Sequence, residues 1–410
     1  MRALYISHNG MLEGLGQSQV LPYVRGLARR GVRYDLFSFE LPEATDAEIE
    51  PLKASLATQG IRWMPLRRKR DPRLHVKIEE IARGVGHALL SAAARRPDIV
   101  HGRSYLPTAI ADVIASIVPR AKLVFDCRGM LGDEYVDAGY WRKEQREYRL
   151  LKRYEGRAFH RAEGVVVLTE ALRRWVSEND LLGPRTTLAT IPTCVDMDNF
   201  VFDPVARRER RAELGLEGRT VVVYAGSLGE LYRMEDMVRF MRTLKARSTT
   251  PVAFLVLTPS PPDKLVALMR EHGLDDSLVV RKAPPRQMAS YLSAGDLGLA
   301  FGKACFARLG CSPTKLAEYL ACGLPVVTNS DFGDQGTLAD QPETCIVIEG
   351  FEPAVLDDAA TRALALAAAP LERRVALGRA LAGARFGLET VGVARYEALY
   401  RDMLTINTHR

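Results

Sequence analysis

Short apolar runs alternate along the chain with stretches whose apolar residues recur at helical spacing. Residues 220–224 and 252–257 are two such runs, and the helical pattern of residues 234–245 lies between them. A run of about four to eight apolar residues indicates a strand that is buried on both faces, as in a parallel sheet. Strands that alternate with helices form βαβ units. The pattern therefore predicts an α/β protein.

The same alternation extends over the whole chain and predicts two doubly wound parallel sheets. The predicted strands are residues 3–7, 34–39, 98–101, 122–125, 164–168, 188–192, 220–224, 252–257, 278–282, 296–301, 324–328 and 345–349. The predicted helices are residues 17–30, 46–55, 76–94, 108–117, 134–161, 169–177, 234–245 and 389–404. Pro22 is compatible with the first helix only if it lies in the first turn. Tyr396, Leu399 and Tyr400 recur at helical spacing in the last helix and are expected to pack in the core.

A chain of 410 residues is too long for one ordinary core and suggests two domains of about 200 residues each. The boundary is expected within residues 199–217, where Pro204 and the run RRERR interrupt the pattern. We assign residues 1–200 and 390–410 to the first domain and residues 201–389 to the second. The composition, 47% hydrophobic and 26% charged, is typical of a soluble globular protein.

Cysteine usage and the absence of long apolar runs bear on the compartment. The six cysteines lack paired CxxC spacing, no run of about 20 apolar residues exists, and the first residues enter a strand rather than a signal peptide. We expect a reduced, cytoplasmic protein without a metal site.

The net charge of +7 is concentrated in the first half of the chain. Residues 1–199 hold 31 Lys/Arg against 25 Asp/Glu, and the densest basic run is RRKRDPR at residues 67–73. Such a run fits anionic lipid headgroups or a lipid diphosphate, and thus the inner face of the plasma membrane; the alternative is a solvated loop. No nucleic-acid module is evident, so we expect no nucleic-acid partner.

The stretch at residues 301–329, FGKACFARLGCSPTKLAEYLACGLPVVTN, contains the strongest candidate binding site. Ser312 is a favourable N-cap, Pro313 a favourable first helical residue, and Gly323 a favourable helix stop. A helix N-terminus that carries Lys315 favours an anion such as a diphosphate. Glu318, one turn further on, would accept hydroxyl hydrogens from a ribose. The alternative is an ordinary loop–helix–strand unit with a solvated glutamate.

The segment SPTKLAEYLACGLPVV resembles the donor-site signature of glycosyltransferase family 4 in its SPTK-type branch. The resemblance implies the GT-B fold: two doubly wound Rossmann-like domains facing each other across a cleft, with the C-terminal helix crossing back to the first domain. The commoner form of the signature has two glutamates with seven residues between them. Glu318 matches the second, which binds the nucleotide ribose, whereas Gly310 occupies the position of the first.

The resemblance also implies the other donor-binding positions. The family's diphosphate-binding arginine corresponds to Ser227, and Arg233 is the cation nearest to the position of the family's lysine; a purely structural role is the alternative for Arg233. With Lys315, these residues would neutralise the donor diphosphate. Further expected donor-binding residues are Ser312, Pro313 and Thr314. Lys282 is another, and it precedes the turn that is expected to face the nucleotide base.

Polar residues follow two neighbouring predicted strands in the first half. His101 and Arg103 end one strand, and Asp126 and Arg128 end the next. Ligands bind at the carboxyl ends of strands in open α/β sheets. The segments VHGRS and DCRG resemble the acceptor side of the family, which assigns His101, Asp126 and Arg128 as catalytic residues and Arg103 to the acceptor or sugar vicinity. The alternatives are a hydrogen-bonded loop histidine and a structural ion pair.

A dinucleotide-binding fingerprint is incomplete at the N-terminus. Gly14 and Gly16 form a GxG loop, and Glu40 ends the second strand where a ribose-binding acid would lie. The third glycine position holds Gln19, so an oxidoreductase is disfavoured. The family resemblance places this loop, and Gly16 in particular, near the sugar and acceptor. Farther along, IPTCVDMDNF resembles the family's hinge segment, with Thr193 and Cys194 replacing Asn and Gly.

Together these features predict a retaining glycosyltransferase that moves a sugar from a nucleoside-diphosphate sugar to a hydroxyl acceptor. The donor is expected to be a UDP- or GDP-sugar, and no cofactor is expected. The acceptor would be a glycan or lipid-linked glycan of cell-envelope or exopolysaccharide synthesis. Two alternatives with the same fold stay open: a nucleotide-sugar epimerase, and a catalytically inactive nucleotide-binding protein.

Overall fold

The computed structural model describes residues 1–69, 73–118 and 120–405. It divides the chain into two compact units. Unit 1 consists of Met1–Pro192 together with the segment that begins at Leu388. Unit 2 is Thr193–Gly387. The chain thus leaves unit 1 once and returns to it at its end.

Unit 1 contains a seven-stranded, entirely parallel sheet of order β3-β2-β1-β4-β5-β6-β7. Its strands are β1 (Arg2–Ser7), β2 (Arg33–Glu40), β3 (Ile61–Arg67), β4 (Ile99–Arg103), β5 (Lys122–Asp126), β6 (Gly164–Val167) and β7 (Thr187–Thr190). Its helices are α1 (Gly14–Gln19), α2 (Leu21–Arg29), α3 (Asp46–Ala57), α4 (Leu74–Arg95), α5 (Tyr105–Ile117), α6 (Leu131–Asp137), α7 (Arg146–Arg161) and α8 (Glu170–Glu178). The strand order reverses at β1, so the carboxyl ends of β1 and β4 lie side by side.

Unit 1 is completed by the end of the chain. A π-helical segment, Leu388–Val393, leads into the C-terminal helix, Ala394–Thr405, which packs beside β6 and β7. Tyr396, Leu399 and Tyr400 are buried there. The predictions that these residues are core residues and that the last helix belongs to the first unit are confirmed.

Unit 2 contains a six-stranded, entirely parallel sheet of order β10-β9-β8-β11-β12-β13. Its strands are β8 (Thr220–Ala225), β9 (Val252–Leu257), β10 (Leu278–Arg281), β11 (Leu297–Ala300), β12 (Val326–Asn329) and β13 (Cys345–Ile348). Its helices are α9 (Pro204–Leu214), α10 (Met234–Arg247), α11 (Asp263–Glu271), α12 (Met288–Ser293), α13 (Thr314–Ala321), α14 (Pro353–Ala368) and α15 (Leu371–Phe386).

The core of unit 2 lies on both faces of its sheet. Val221 and Val223 of β8 belong to one hydrophobic cluster, and Val222 and Tyr224 belong to another. Successive side chains of a strand point to opposite faces, so a strand between two helical layers must be apolar throughout. This explains the continuous apolar runs in the sequence, and the predicted pair of doubly wound α/β sheets is confirmed.

Two predicted helices are interrupted. The helix expected over residues 17–30 consists of α1 and α2, and Pro22 lies in the first turn of α2, where its missing N–H leaves no hydrogen bond unmade. The helix expected over residues 134–161 consists of α6 and α7, with Gly139 between them at φ 80°. Glycine takes this left-handed conformation readily, so the chain turns there instead of continuing the helix.

The strand β3 has no counterpart among the predicted strands. It contains Pro65 and lies at the edge of the sheet, beside β2 alone. Proline cannot donate a ladder hydrogen bond and is tolerated in edge strands. The sequence signal was therefore weak, although the strand is regular.

Candidate functional site

The predicted helix after the SPTK segment is α13, and its capping differs from the prediction. Pro313 occupies the N-cap position and α13 begins at Thr314, without a side-chain cap. The Ser312 hydroxyl instead accepts a hydrogen bond of 3.1 Å from the Thr193 amide, so the prediction of Ser312 as N-cap is wrong. Gly323 has φ 76° and ends the helix region as predicted. The first-turn amides of α13 are therefore left without a capping side chain.

Lys315 of α13 is a buried cation. Its side chain is aimed at the carboxyl end of β8, where the Nζ atom lies 3.8 Å from the ring centroid of Tyr224 and 4.3 Å from that of Tyr232. A Cβ atom on Gly226 would lie 2.9 Å from this Nζ atom, so the glycine leaves room for the ammonium group. Within the residues that the structure describes, the Nζ atom has no hydrogen-bond partner. Burial and the neighbouring Arg308 lower the pKa of Lys315 to about 7.

Glu318 lies one turn beyond Lys315 and is half-buried. Burial raises the pKa of Glu318 to about 7, and the nearby Lys315 only partly opposes this effect. The carboxylate makes no hydrogen bond or ion pair in the described part of the chain. Lys315 and Glu318 are thus a cation and an acceptor that are held in place without internal partners. Such groups favour an anion and a hydroxyl group as ligands.

Arg308 is a second buried cation, and the sequence analysis missed it. It lies in a 3-10 turn, Phe306–Gly310, and its guanidinium group lies 5.0 Å from the ring centroids of Tyr232 and Phe332. Its Nη2 atom donates to the Leu231 carbonyl at 3.3 Å, while its buried Nε atom has no hydrogen-bond partner in the part of the chain that the structure describes. Lys315 and Arg308 contact the same ring, that of Tyr232, so the structure gathers two cations at one place.

Three other predicted donor-binding residues have different surroundings. Ser227 is exposed, and its carbonyl accepts a 2.5 Å hydrogen bond from Tyr224. Arg233 donates from Nε to Asp236 at 2.7 Å and stacks 4.0 Å from the Phe351 centroid. Lys282 is exposed, immediately after β10. Ser227 directly follows Gly226, the residue that leaves room for Lys315, whereas Arg233 is engaged in a helical ion pair with Asp236.

The position of the absent glutamate is enclosed. Gly310 is buried at the end of the 3-10 turn that carries Arg308. The neighbouring loop after β11 is fixed by Asn329, whose carboxamide accepts from the Gly302 amide at 2.9 Å and donates to the Gly302 carbonyl at 3.0 Å. The loops around Lys315 are therefore held in place by internal hydrogen bonds.

In unit 1 the predicted polar cluster forms at the carboxyl ends of β4 and β5. Arg103 and Asp126 are register partners on adjacent strands. The Asp126 carboxylate lies 3.4 Å from His101 Nε2 and 3.5 Å from Arg128 Nη1. All four predicted residues of this cluster, His101, Arg103, Asp126 and Arg128, are therefore brought together.

His101 and Asp126 are fully buried beneath the C-terminal helix. Tyr396 donates to Asp126 Oδ2 at 3.0 Å, and the Tyr400 hydroxyl lies 2.7 Å from His101 Nδ1. The ring of Tyr5 stacks on His101 at a centroid distance of 4.3 Å. These contacts were not foreseen, because the partners are about 270 residues or more away along the chain. They give His101 and Asp126 the surroundings of positioning residues.

Opposing effects set the protonation states of this cluster. Burial raises the pKa of Asp126, but its cationic neighbours, led by Arg128, outweigh that effect and hold the pKa below its usual range. Burial also lowers the pKa of His101, in spite of the adjacent carboxylate. At neutral pH Asp126 is therefore ionised and His101 is neutral.

The loop between β1 and α1 is bound by Glu40, whereas Gly14 and Gly16 of the predicted glycine loop lie in the first turn of α1. The Glu40 carboxylate accepts from the Met11 amide at 2.7 Å and from the Leu12 amide at 3.2 Å. The acid that would bind a ribose in a dinucleotide site is thus occupied by its own loop. A Cβ atom on Gly16 would lie 1.9 Å from the Gly10 carbonyl oxygen, so close backbone approach requires glycine there. The oxidoreductase alternative gains no support from this geometry.

The basic run at residues 67–73 lies partly outside the described residues, which omit 70–72. Three described cations of the run have carboxylate partners: Arg67 pairs with Asp46 at 2.7 Å, Arg68 with Glu13 at 3.0 Å, and Lys69 with Glu79 at 2.7 Å. Across the described ranges, no helix combines the length and apolar character needed to cross a bilayer. No cluster of three or more potential metal ligands occurs among those same residues.

Comparison with known proteins finds similarity to one family over part of the chain. Residues 16–194 match the family described as "Glycosyl transferase 4-like domain". Over 215 residues the chain is 28% identical to a GDP-mannose-dependent alpha-(1-6)-phosphatidylinositol monomannoside mannosyltransferase from Mycolicibacterium smegmatis. This match covers 50% of the chain and 53% of that enzyme, so the chain spans about half the length of this curated relative.

Solved structures show the same fold over nearly the whole chain. Sucrose-phosphate synthase from Thermosynechococcus elongatus superimposes with a TM-score of 0.76 at 18% identity, covering 99% of this chain and 100% of that one. HepE from Anabaena, solved with UDP, superimposes with a TM-score of 0.70 at 15% identity, covering 98% and 100%. The chain therefore has the GT-B fold of two Rossmann-like domains, and its residues 16–194 are similar to a glycosyltransferase 4-like domain.

Proposed function

We propose that this protein is a retaining glycosyltransferase that moves a sugar from a nucleoside-diphosphate sugar to a hydroxyl acceptor. The observation that carries the proposal is the unpartnered ammonium group of Lys315, buried at the carboxyl end of β8 with Glu318 one turn away. A buried cation without a counter-ion is costly unless a ligand supplies the negative charge. A nucleoside diphosphate supplies that charge and a ribose hydroxyl together.

In this proposal unit 2 binds the donor. Lys315, the amides at the start of α13, and Arg308 neutralise the diphosphate, and Glu318 accepts hydrogen bonds from the ribose hydroxyls. Arg308 compensates for Ser227, which replaces the family's arginine. Because the negative charge on the diphosphate increases as the glycosidic bond breaks, fixed cations stabilise the transition state more than the ground state.

Unit 1 then binds the acceptor at the carboxyl ends of β4 and β5. We assign Arg103 and Arg128 to substrate binding, and His101 and Asp126 to positioning, since both are buried against the tyrosines of the C-terminal helix. The leaving phosphate would take the acceptor proton in a front-face displacement, so no carboxylate nucleophile is required. Bound metal has no assigned role, because the cations of unit 2 neutralise the leaving group.

Two of the similar proteins support the choice of donor and acceptor in this proposal. HepE was solved with UDP, and the mannosyltransferase is named for GDP-mannose and a phosphatidylinositol mannoside. They support a UDP- or GDP-sugar as donor and a lipid-linked glycan or glycan of the cell envelope as acceptor.

The test is a thermal-unfolding panel with UDP, GDP, ADP, dTDP and NAD. Wild type is compared with Glu318→Ala and with the control Glu349→Ala, which changes an exposed glutamate of the same unit. A nucleotide at 100 times its dissociation constant adds about 2.7 kcal/mol to the free energy of unfolding. We expect one nucleoside diphosphate to stabilise wild type and the control, and Glu318→Ala to lose the effect. Stabilisation by NAD alone, or an equal shift in all three proteins, would refute the donor site.

Transfer itself is tested with the nucleotide sugar of the base identified in that panel. Donor consumed only when an acceptor is present supports transfer. Donor converted to an isomeric free sugar without an acceptor would establish the epimerase instead, and binding without turnover would establish the inactive nucleotide-binding protein.

A further inference from the structure

We propose that the acceptor carries a phosphate group and that Arg103 and Arg128 bind it at the carboxyl ends of β4 and β5. This inference rests on the proposed transferase function and names the chemical class of its acceptor. It concerns unit 1 alone, so its test is separable from the test of the donor site in unit 2.

The first argument is the local balance of charge. Arg128 and Arg103 are both close to Asp126, the single ionised carboxylate of the cluster. The Asp126 carboxylate already accepts from Tyr396 and lies beside His101. Within the described part of the chain, no carboxylate oxygen lies within 4.0 Å of the Arg103 guanidinium group. One buried positive charge is therefore left over.

The second argument is the state of Arg103 itself. Its side chain is 93% buried, since only 7% of the residue is exposed, and its Nε atom has no hydrogen-bond partner among the described residues. Its hydrogen bond to a side chain, from Nη1 to the neutral Asn9 Oδ1, is long at 3.3 Å. Burial and the nearby Arg128 lower the pKa of Arg103, as expected for a cation that lacks compensation. An anion in this place would supply both the missing charge and the missing acceptor.

The third argument is that the arginine is fixed in position. Arg103 ends β4, where it is the register partner of Ser7 on β1 and of Asp126 on β5. The planar guanidinium group presents several donors in a fixed fork that matches the oxygens of a phosphate. Two such groups on neighbouring strand ends favour a phosphate over a neutral sugar hydroxyl. Both a phosphomonoester of a soluble sugar and a phosphodiester of a lipid headgroup have this chemistry.

The experiment measures binding of two probes by isothermal titration. Glucose 6-phosphate represents the monoester, glycerophosphoinositol represents the diester, and glucose and inositol are the uncharged counterparts. The proteins are wild type, Arg103→Gln, Arg103→Lys and Arg128→Gln. Two controls are Arg185→Gln, which changes an exposed arginine of unit 1, and Lys315→Met, which removes the donor-site cation of unit 2.

We expect at least one phosphate probe to bind wild type and both controls, and its uncharged counterpart not to bind. Arg103→Gln and Arg128→Gln should each weaken binding at least tenfold, and Arg103→Lys should restore part of it because the charge is retained. Tryptophan fluorescence checks folding, since Trp63, Trp141 and Trp175 all lie in unit 1. If Arg103→Gln does not fold, Arg128→Gln decides the question.

Three outcomes would overturn the inference. They are the absence of binding by either probe to wild type, unchanged binding in the folded arginine variants, and loss of binding in Lys315→Met, which would place the phosphate in the donor site. The first two outcomes do not bear on nucleotide binding by unit 2, and the third is compatible with a donor site there, so the proposed function is tested separately. Binding of the monoester alone indicates a soluble sugar phosphate, and binding of the diester alone indicates a lipid headgroup.

Discussion

Replacement of Lys315 by methionine should stabilise the unliganded protein and abolish nucleoside-diphosphate binding. Methionine has nearly the length of lysine and can contact the rings of Tyr224 and Tyr232 through its sulfur. The substitution removes a buried ammonium group that has no hydrogen-bond partner in the described part of the chain. If the charge of Lys315 serves to bind a ligand, removing it should not destabilise the unliganded protein.

The expected gain follows from the pKa of Lys315. Burial and Arg308 lower this pKa from 10.5 to about 7. At about 1.4 kcal/mol per pKa unit, the charged lysine destabilises the fold by about 5 kcal/mol. The cation–π contacts with the rings of Tyr224 and Tyr232 each offset about 1–2 kcal/mol of this penalty. We therefore expect Lys315→Met to raise the free energy of unfolding by about 2 kcal/mol at pH 7.

The pH dependence has a definite sign. Below pH 7 the lysine is protonated in both states, so the folded protein bears the full penalty. Between the folded pKa of about 7 and the unfolded value of 10.5, the unfolded chain binds more protons. Wild-type stability therefore rises with pH over this range relative to the variant. Two units above the folded pKa the penalty has fallen by about 3 kcal/mol, so the advantage of Lys315→Met should be gone at pH 9.

The difference in stability between wild type and Lys315→Met is measured by urea unfolding at pH 7 and pH 9. Hydrogen exchange of the β8 amides reports the unfolding of unit 2 in each experiment. Tryptophan fluorescence serves as an internal control, because all three tryptophans lie in unit 1 and its transition should not move. Repeating the comparison in a Glu318→Gln background removes the neighbouring carboxyl, whose pKa is also about 7. A variant less stable than wild type at pH 7, or a gain that is the same at both pH values, would refute the reasoning.

Two further predictions concern stability. Gly298→Ala should destabilise unit 2 by about 1–3 kcal/mol, because the new Cβ would lie 2.3 Å from the Tyr319 ring, whose hydroxyl accepts from the Ala225 amide. Urea unfolding checks it against Gly229→Ala, where the Cβ meets nothing within 4 Å; equal effects would contradict the packing argument. Tyr396→Phe should cost unit 1 about 1–3 kcal/mol, because the buried Asp126 carboxylate loses a hydrogen-bond donor. Tryptophan-detected unfolding checks it against Tyr140→Phe, an exposed tyrosine, and an unchanged midpoint would contradict it.

The sequence by itself determined the α/β class, the pair of parallel sheets and the place of α13. These properties are local, since a strand buried on both faces must be apolar along its length, and a helix stop at Gly323 needs a residue that tolerates positive φ. The clustering of His101, Arg103, Asp126 and Arg128 was also predictable. In a parallel sheet the carboxyl ends of neighbouring strands meet at one edge, so order along the chain suffices.

Sequence periodicity predicted the secondary structure less well where a single residue changes the backbone conformation. The edge strand β3 was missed because Pro65 is unusual in a strand, and the helix over residues 134–161 was predicted too long because its polar residues are compatible with a helix throughout. In both places the outcome depends on neighbours in space or on one left-handed residue rather than on the average pattern.

Only the tertiary structure decided the surroundings of the candidate site. Arg308 has no motif, and it lies beside Lys315 because both pack on Tyr232. The C-terminal helix buries His101 and Asp126 under tyrosines from the far end of the chain, and for this reason we propose positioning rather than catalysis for both. Burial and partnership set the charge state of an ionisable group, and both arise from contacts between distant segments. The sequence therefore located the polar residues, and the fold determined how deeply each is buried and which groups surround it.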